Sequence, residues 1–166
     1  MFFSMIFYTD KKGRGVWTVN PLFRALMLII FLLSAAALLF PSQSESGGGA
    51  AISFVIPAFF VLTSFLGILY RDCCIFEIGT RTLILKTGLI FLSKCRLIPF
   101  DDIGSVRFIT VSQGKNPIEF QCALYSKEDR LLADIEHVKK NAQTALEQRA
   151  KKAAELIGCP LEYIKL

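Results

Sequence analysis

Few residues of this 166-residue chain have the types and spacing that catalysis requires. His137 is the only histidine, and Asp134 lies three residues before it. A serine or cysteine nucleophile would need such a base within hydrogen-bond reach. Because the pair lies among charged residues, we interpret His137 as a surface histidine. Asp101 and Asp102 are adjacent, and adjacent side chains of an extended segment point to opposite faces, so we predict turn hydrogen bonds rather than a carboxylate pair.

The cysteines do not form a pattern typical of a metal or redox site. The sequence has five: Cys73, Cys74, Cys95, Cys122 and Cys159. None shows the C-x-x-C spacing of a zinc site, so we interpret them as small buried or interfacial hydrophobic residues. Acylation of Cys73 and Cys74 is an alternative. No phosphate-binding loop or nucleotide fingerprint is present. The sequence therefore predicts no metal, no cofactor and no enzymatic activity.

The basic residues are the one group with a functional interpretation. Five of them follow an apolar segment closely: Arg71, Arg81, Lys86, Lys94 and Arg96. If they share a face, each contributes on the order of 1 kcal/mol toward binding anionic lipid head groups. The alternative is solvated strand positions with ordinary positive-inside bias. Nucleic acid is not an expected partner, because residues 71–166 carry fifteen basic against twelve acidic residues and no basic run interleaved with aromatic residues.

The composition predicts a membrane protein, since 53% of the residues are hydrophobic and the mean hydropathy is +0.49. In residues 22–40, seventeen of nineteen residues are apolar, and the segment is roughly 29 Å long as a helix. Residues 50–70 contain no charge and are interrupted only by small or hydroxyl residues and Pro57. We predict two transmembrane helices that form an antiparallel hairpin through the polar loop 41–49.

The distribution of charge predicts the orientation of this hairpin. The loop 41–49 has no Lys or Arg, whereas basic residues flank the first helix on its N-terminal side and follow the second helix. The positive-inside rule then places both termini in the cytoplasm, as in a multi-pass protein of the plasma or inner membrane. Arg24 is expected to extend back to the interface. The alternative for the first apolar segment is a cleaved signal peptide, although the segment is longer than the apolar region of such a peptide.

Residues 1–21 are predicted to form a cytoplasmic or interfacial segment. Residues 1–8 are apolar but too short to cross a bilayer. With Trp17, they are expected to lie at the membrane interface, where aromatic side chains are enriched.

Residues 71–166 have the pattern of short strands followed by one helix. Turn signals recur every six to twelve residues, which predicts strands at 73–78, 82–86, 89–98, 105–111, 118–125 and 130–136. Residues 118–125 alternate most clearly between apolar and polar. Apolar residues then recur at spacings of three and four, which predicts a helix over about 139–157. Gly158 and Pro160 provide its stop signal.

Two stretches carry a family resemblance. These are Ile-Phe-Glu-Ile-Gly-Thr-Arg-Thr-Leu-Ile-Leu-Lys-Thr-Gly-Leu at 75–89 and Arg-Leu-Ile-Pro-Phe-Asp-Asp-Ile-Gly-Ser-Val at 96–106. After a transmembrane hairpin, they resemble the bacterial pleckstrin-homology-like membrane proteins. The resemblance implies an α+β domain at 71–166, in which a bent antiparallel split barrel of about six or seven strands is capped by a C-terminal helix. It implies no activity. The first strand connection, Gly79-Thr80-Arg81, lacks the basic cluster of eukaryotic phosphoinositide-binding relatives.

These features predict a membrane-anchored, non-enzymatic interaction module at the cytoplasmic leaflet. Its partner would be the lipid bilayer together with a membrane protein or further copies of itself. Sensing of anionic lipid head groups is one alternative. A small channel or transporter subunit formed by oligomerised hairpins is another, because residues 35–37, Ser64 and Gly67 are small residues that permit close helix packing. No small-molecule substrate is expected.

Overall fold

The computed structural model describes residues 5–39, 49–112 and 119–165, with the backbone alone for residues 49–53. Apart from residue 49, the predicted loop between the two apolar helices lies outside these ranges. The described residues form two β-sheets, two apolar helices and one amphipathic helix near the C-terminus.

The first sheet has five antiparallel strands that follow one another in chain order. They are β1 (Met5–Thr9), β2 (Gly15–Val19), β3 (Tyr70–Glu77), β4 (Thr82–Leu89) and β5 (Lys94–Pro99). Along each strand, alternate side chains point to opposite faces. One face packs into the core through Trp17, Phe76 and Leu83, each fully buried. The other face is the outer face of the domain.

The second sheet has four strands in the spatial order β8-β7-β6-β9. They are β6 (Ile103–Val111), β7 (Glu119–Ser126), β8 (Leu131–Lys139) and β9 (Leu161–Lys165). β9 pairs with β6 in parallel, and the other pairs are antiparallel. Helix α3 (Gln143–Ile157) connects β8 to β9 and packs against the second sheet and β3.

The predicted β-rich part with a C-terminal helix is confirmed, and the two sheets and helix are compatible with a pleckstrin-homology-like α+β fold. Of the nine strands in the described residues, seven, β3 to β9, lie in residues 70–165, where six or seven were predicted, and β1 and β2 are additional strands near the N-terminus. The single strand predicted at 89–98 is divided, because β4 ends at Leu89 and β5 begins at Lys94. The helix begins at Gln143, after a 3₁₀ turn (Lys140–Ala142), rather than near 139. It stops as predicted at Gly158, whose φ is 79°.

The apolar helices are inserted within the first sheet rather than preceding it. β2 leads through Asn20 into α1 (Pro21–Leu39), and β3 begins directly after α2 (Gly49–Leu69). β2 and β3 are themselves paired, from Gly15 opposite Phe76 to Thr18 opposite Cys73. The β-rich part therefore includes residues 5–19, and the helices extend from two neighbouring strands.

The prediction that Trp17 lies at the membrane interface is wrong. Its side chain is fully buried in the core of the β-rich part. The ring packs edge-on against Phe7, with 6.2 Å between ring centroids. The physical reason is the pairing of β2 with β3, which turns this residue inward toward the second sheet and α3.

The two apolar helices pack against each other in antiparallel orientation. Phe31 of α1 lies 6.3 Å from Phe65 of α2, measured between ring centroids, and Gly67 lies against Met27 nearer the sheet. By length and composition, α1 is able to cross a membrane. The described apolar part of α2, residues 54–69, is shorter than a full span.

Gly104 lies at the start of the second sheet, where the backbone of another strand end packs closely against it. The register of β6 shifts between Ile103 and Ser105, and a Cβ at Gly104 would lie 2.7 Å from the backbone oxygen of Ser126 and the backbone nitrogen of Lys127. Because backbone must move, we expect Gly104→Ala to lower the free energy of unfolding by about 1–3 kcal/mol. Unfolding in mild detergent, followed by Trp17 fluorescence, measures this. Gly79→Ala is the matched control, since no heavy atom beyond its own chain neighbours lies within 4 Å of its Cβ position. Equal effects of the two variants would contradict the prediction.

Candidate functional site

The candidate catalytic pair lies on the surface of the second sheet. Nε2 of His137 lies 2.5 Å from Oδ2 of Asp134, and their side chains are 52% and 39% exposed. Cys122, on the neighbouring strand, is fully buried, and burial raises the pKa of its thiol. The pair is thus a surface contact, as the sequence predicted for His137, and it does not meet a reactive thiolate.

The two adjacent aspartates lie in a short 3₁₀ turn (Phe100–Asp102), in agreement with the turn prediction. Asp101 accepts a hydrogen bond of 3.1 Å from Nη2 of Arg81, and both side chains are mostly exposed. An exposed pair of this kind contributes little to stability. Here it neutralises the charge of one of the five predicted lipid-contacting residues.

The five predicted basic residues do not share one surface. Arg71 and Lys86 project from the outer face of the first sheet, since Cys73 lies opposite Lys86 in the register. Lys94 and Arg96 point to the inner face, because it is Cys95, between them, that lies opposite Lys86. Nη1 of Arg96 donates a hydrogen bond to the carbonyl of Leu132 in the second sheet. The other member, Arg81, is in the turn at the far end of β3 and β4. The structure therefore brings together only Arg71 and Lys86.

A further cation joins Arg71 at the helix end of this outer face. A groove of about 380 Å³ runs between the first turn of α1 and the outer face of β1, β2 and β3. We call it the basic groove, and its lining includes Thr18, Arg24, Arg71 and Cys73. Arg24 enters from α1, and Arg71 is the second residue after α2. The groove thus has one arginine from the beginning of the helix pair and one from its end.

The electrostatics of the basic groove suit an anion. In the described part of the chain, neither Arg24 nor Arg71 forms an ion pair, whereas Arg14 at the other end of the groove pairs with Asp10 at 2.7 Å. Burial raises the pKa of the Cys73 thiol, and the charges of Arg71 and Lys86 oppose that shift. Guanidinium groups bind phosphate and carboxylate oxygens in a bidentate manner. The groove therefore has the chemistry to bind an anionic group non-covalently.

A second concave surface lies on the inner side, where the helices meet the two sheets. This junction cleft has a volume of about 550 Å³ and is mainly apolar, with Phe23, Leu66 and Leu89 in its lining. Asp72 and Glu136 contribute carboxylates, and burial raises the pKa of both. Apolar clefts with a few polar groups are typical binding sites. Toward the helices, the cleft adjoins an apolar groove between α1 and α2 that shares Phe23 and Gly67 with it.

Glu136 has a structural role at the base of the junction cleft. Its carboxylate accepts hydrogen bonds from the backbone N–H of Met5 at 3.1 Å, from Nε1 of Trp17 at 3.0 Å and from Nη2 of Arg149 at 2.9 Å. The Arg149 guanidinium also lies 5.8 Å from the Trp17 ring centroid. Burial raises the pKa of Glu136, and the Arg149 charge is the largest influence opposing this rise. These donors occupy both carboxylate oxygens, which makes Glu136 a connection between elements.

Among the described residues, no three His, Cys, Asp or Glu side chains converge as a metal site would require. The sequence matches no protein-family model and no curated protein. The candidate site is therefore defined by geometry: the basic groove lies on one side of the helix bases and the apolar junction cleft on the other.

Two parts of this site did not follow from the sequence. For Arg24 the sequence predicts only a residue that extends to the interface, although its position at the start of an apolar helix is a usable signal. Glu136 and Arg149 are thirteen residues apart on different elements, and Trp17 is far from both in sequence. No local pattern indicates such a contact.

Removal of Arg149 tests the buried network. Arg149→Met leaves the carboxylate of Glu136 buried without its cation, so we expect the free energy of unfolding to fall by about 3–5 kcal/mol. Adding Glu136→Gln to that variant removes the uncompensated charge and retains an acceptor oxygen, so stability should partly recover. Thermal unfolding in mild detergent measures both.

The stability of the same variants should depend on pH in a predictable direction. Without Arg149, the pKa of Glu136 rises further, so the folded state retains a proton that the unfolded state releases. The Arg149→Met variant should therefore lose stability relative to the wild type as the pH rises from below the ordinary glutamate pKa through the raised one. The double variant should show no such additional loss. A deficit independent of pH in Arg149→Met would contradict this account.

Proposed function

We propose that this chain is a membrane-anchored, non-enzymatic interaction module with a pleckstrin-homology-like domain. In this proposal α1 and α2 both cross the membrane, and both termini and both sheets lie on the cytoplasmic side. The domain then recognises a membrane-protein partner or organises copies of itself at the cytoplasmic leaflet. The long apolar α1 and the absence of Lys and Arg from residues 41–49 support this orientation.

The observation that carries the proposal is the insertion of the helices between two paired strands. α1 starts two residues after β2, and β3 starts at the residue after α2. A flexible tether would let a domain rotate freely, but two such short connections from neighbouring strands hold the sheet at one orientation to the helices. A module fixed in this way presents the same surface to its neighbours in the membrane plane.

The surface that suits a protein partner is the edge formed by β5. This strand is the last of the first sheet, and four of its residues, Lys94 to Leu97, are exposed. Leu97 is 63% exposed on the outer face. An exposed edge strand offers unpaired backbone groups to which a partner strand can add. We propose that the partner contributes an extended apolar segment here.

Crosslinking within the membrane tests the partner proposal. A photoreactive residue at Leu97 should yield one enriched protein, or a dimer of this chain, identified by mass spectrometry. The same residue at Tyr163 is the control, because Tyr163 is 57% exposed in β9 at the opposite edge of the other sheet. Equal products from both positions, or products from neither, would overturn the proposal.

Head-group binding is the second candidate function, and the basic groove favours it. Arg24 and Arg71 would lie at the level of the phosphate groups if the helices cross the bilayer. Each basic residue near the surface contributes on the order of 1 kcal/mol toward anionic lipid. This function is compatible with partner binding, since the groove and the β5 edge are separate.

The groove is tested with Arg24→Gln/Arg71→Gln. We expect the affinity for a fluorescent phosphatidylglycerol analogue, titrated into protein in neutral detergent, to fall roughly ten- to thirtyfold. Arg81→Gln/Arg130→Gln is the matched control, because it removes the same charge from arginines that pair with Asp101 and Glu128. The control should bind like the wild type. Equal losses in both double variants would show that only net charge matters.

A further inference from the structure

The turn between β4 and β5 exposes three consecutive apolar side chains. Ile90, Phe91 and Leu92 are 50%, 81% and 77% exposed. In the described strands and turns, the other exposed large apolar side chains stand singly, as Ile78 and Leu97 do. Single exposed apolar residues are ordinary, whereas a contiguous patch marks a surface that something covers.

The backbone holds this 90–92 turn beside the end of α2. The N–H of Ile90 donates to the carbonyl of Leu69, the last residue of α2, at 3.0 Å. The N–H of Leu92 donates to the carbonyl of Leu89 at 2.8 Å. Gly88 has a φ of 126°, and a Cβ there would lie 2.9 Å from the carbonyl oxygen of Leu92. The turn is therefore a built feature at the point where the apolar helix meets the sheet.

The residues around the turn have the composition of a membrane interface. Tyr70 lies opposite Leu89, Arg71 lies opposite Gly88, and Lys94 follows the turn. Aromatic rings and basic side chains are enriched at the level of the lipid head groups. The apolar turn thus continues the apolar surface of α2, and its flanking cations complement anionic lipid.

We propose that the 90–92 turn inserts into the cytoplasmic leaflet beside α2. The turn is then a third membrane contact of this chain, displaced from the axis of the helix pair. The domain is held at one orientation to the helices, but helices and domain can still tilt together relative to the bilayer, and a third contact restricts that tilt. The inference rests on the proposed membrane anchoring by the helices. Lipid is the proposed occupant because the turn is hydrogen-bonded to the end of the apolar helix.

Quenching by brominated lipid tests the insertion. Phe91→Trp places a reporter at the tip of the turn, and Trp17, the only native tryptophan, is fully buried and gives the background in the wild type. The full chain is reconstituted into vesicles of phosphatidylglycerol and phosphatidylcholine, with or without bromine on the acyl chains. We expect most of the added Phe91→Trp emission to be lost with brominated lipid. Leu92→Trp provides a second reporter if the first variant folds poorly.

Ile78→Trp is the matched control. Ile78 is 49% exposed in the turn at the other end of β3, roughly 25 Å from Tyr70 along the strand, and its reporter should keep its emission. Flotation of the vesicles separates the two proposals. Protein that does not float contradicts membrane anchoring itself. Protein that floats while Phe91→Trp and Leu92→Trp remain unquenched overturns the insertion alone, and a blue-shifted but unquenched emission would assign the turn to a protein contact instead.

Discussion

The carboxylate of Glu136 connects three parts of the molecule that are distant in sequence. It is buried beside β1 and β2, where it accepts hydrogen bonds from the backbone N–H of Met5, the indole N–H of Trp17 and the guanidinium of Arg149. A buried charge is tolerable only when it is paired and hydrogen-bonded, so β1, β2 and α3 must all be in place around β8. β2 is in turn paired with β3, α1 begins after β2, and α2 ends where β3 begins.

This arrangement explains the geometry of the helix pair. Neighbouring strands lie about 4.8 Å apart, whereas packed helices need 8–10 Å between their axes. The helices must therefore diverge slightly from the strands while they remain in contact near the sheet. Gly67 allows this, because its missing side chain leaves room for Met27 of α1, whose sulfur would lie 3.0 Å from a Cβ at that position. The small residue and the strand pairing together produce an antiparallel helix pair at a fixed angle to the domain.

The sequence predicted those elements whose signal is local. The alternation of apolar and polar residues predicts the strand that the structure shows as β7 (Glu119–Ser126), and the apolar spacing of three and four before Gly158 predicts α3. β1 and β2 have no clear signal in the sequence, because they are five residues each and lie beside a long apolar segment, so that Trp17 resembles an interfacial residue. The partner of β2 follows only after the helices, and no local pattern indicates it. Of the predicted basic residues, Lys86 and Arg96 point to opposite faces of the sheet, because the register pairs Lys86 with Cys95 and Arg96 with Leu85.

The arginines around the first sheet differ between its two ends. At the end far from the helices, Arg14 pairs with Asp10 and Arg81 pairs with Asp101. At the helix end, Arg24 and Arg71 have no carboxylate partner among the described residues. Fold stability does not require that difference, because exposed ion pairs contribute little. A surface that must meet anionic lipid does require it, since a carboxylate beside these arginines would cancel the attraction. These two arginines and the apolar 90–92 turn lie at the same end of the first sheet, which is where a bilayer crossed by α1 and α2 would meet the domain.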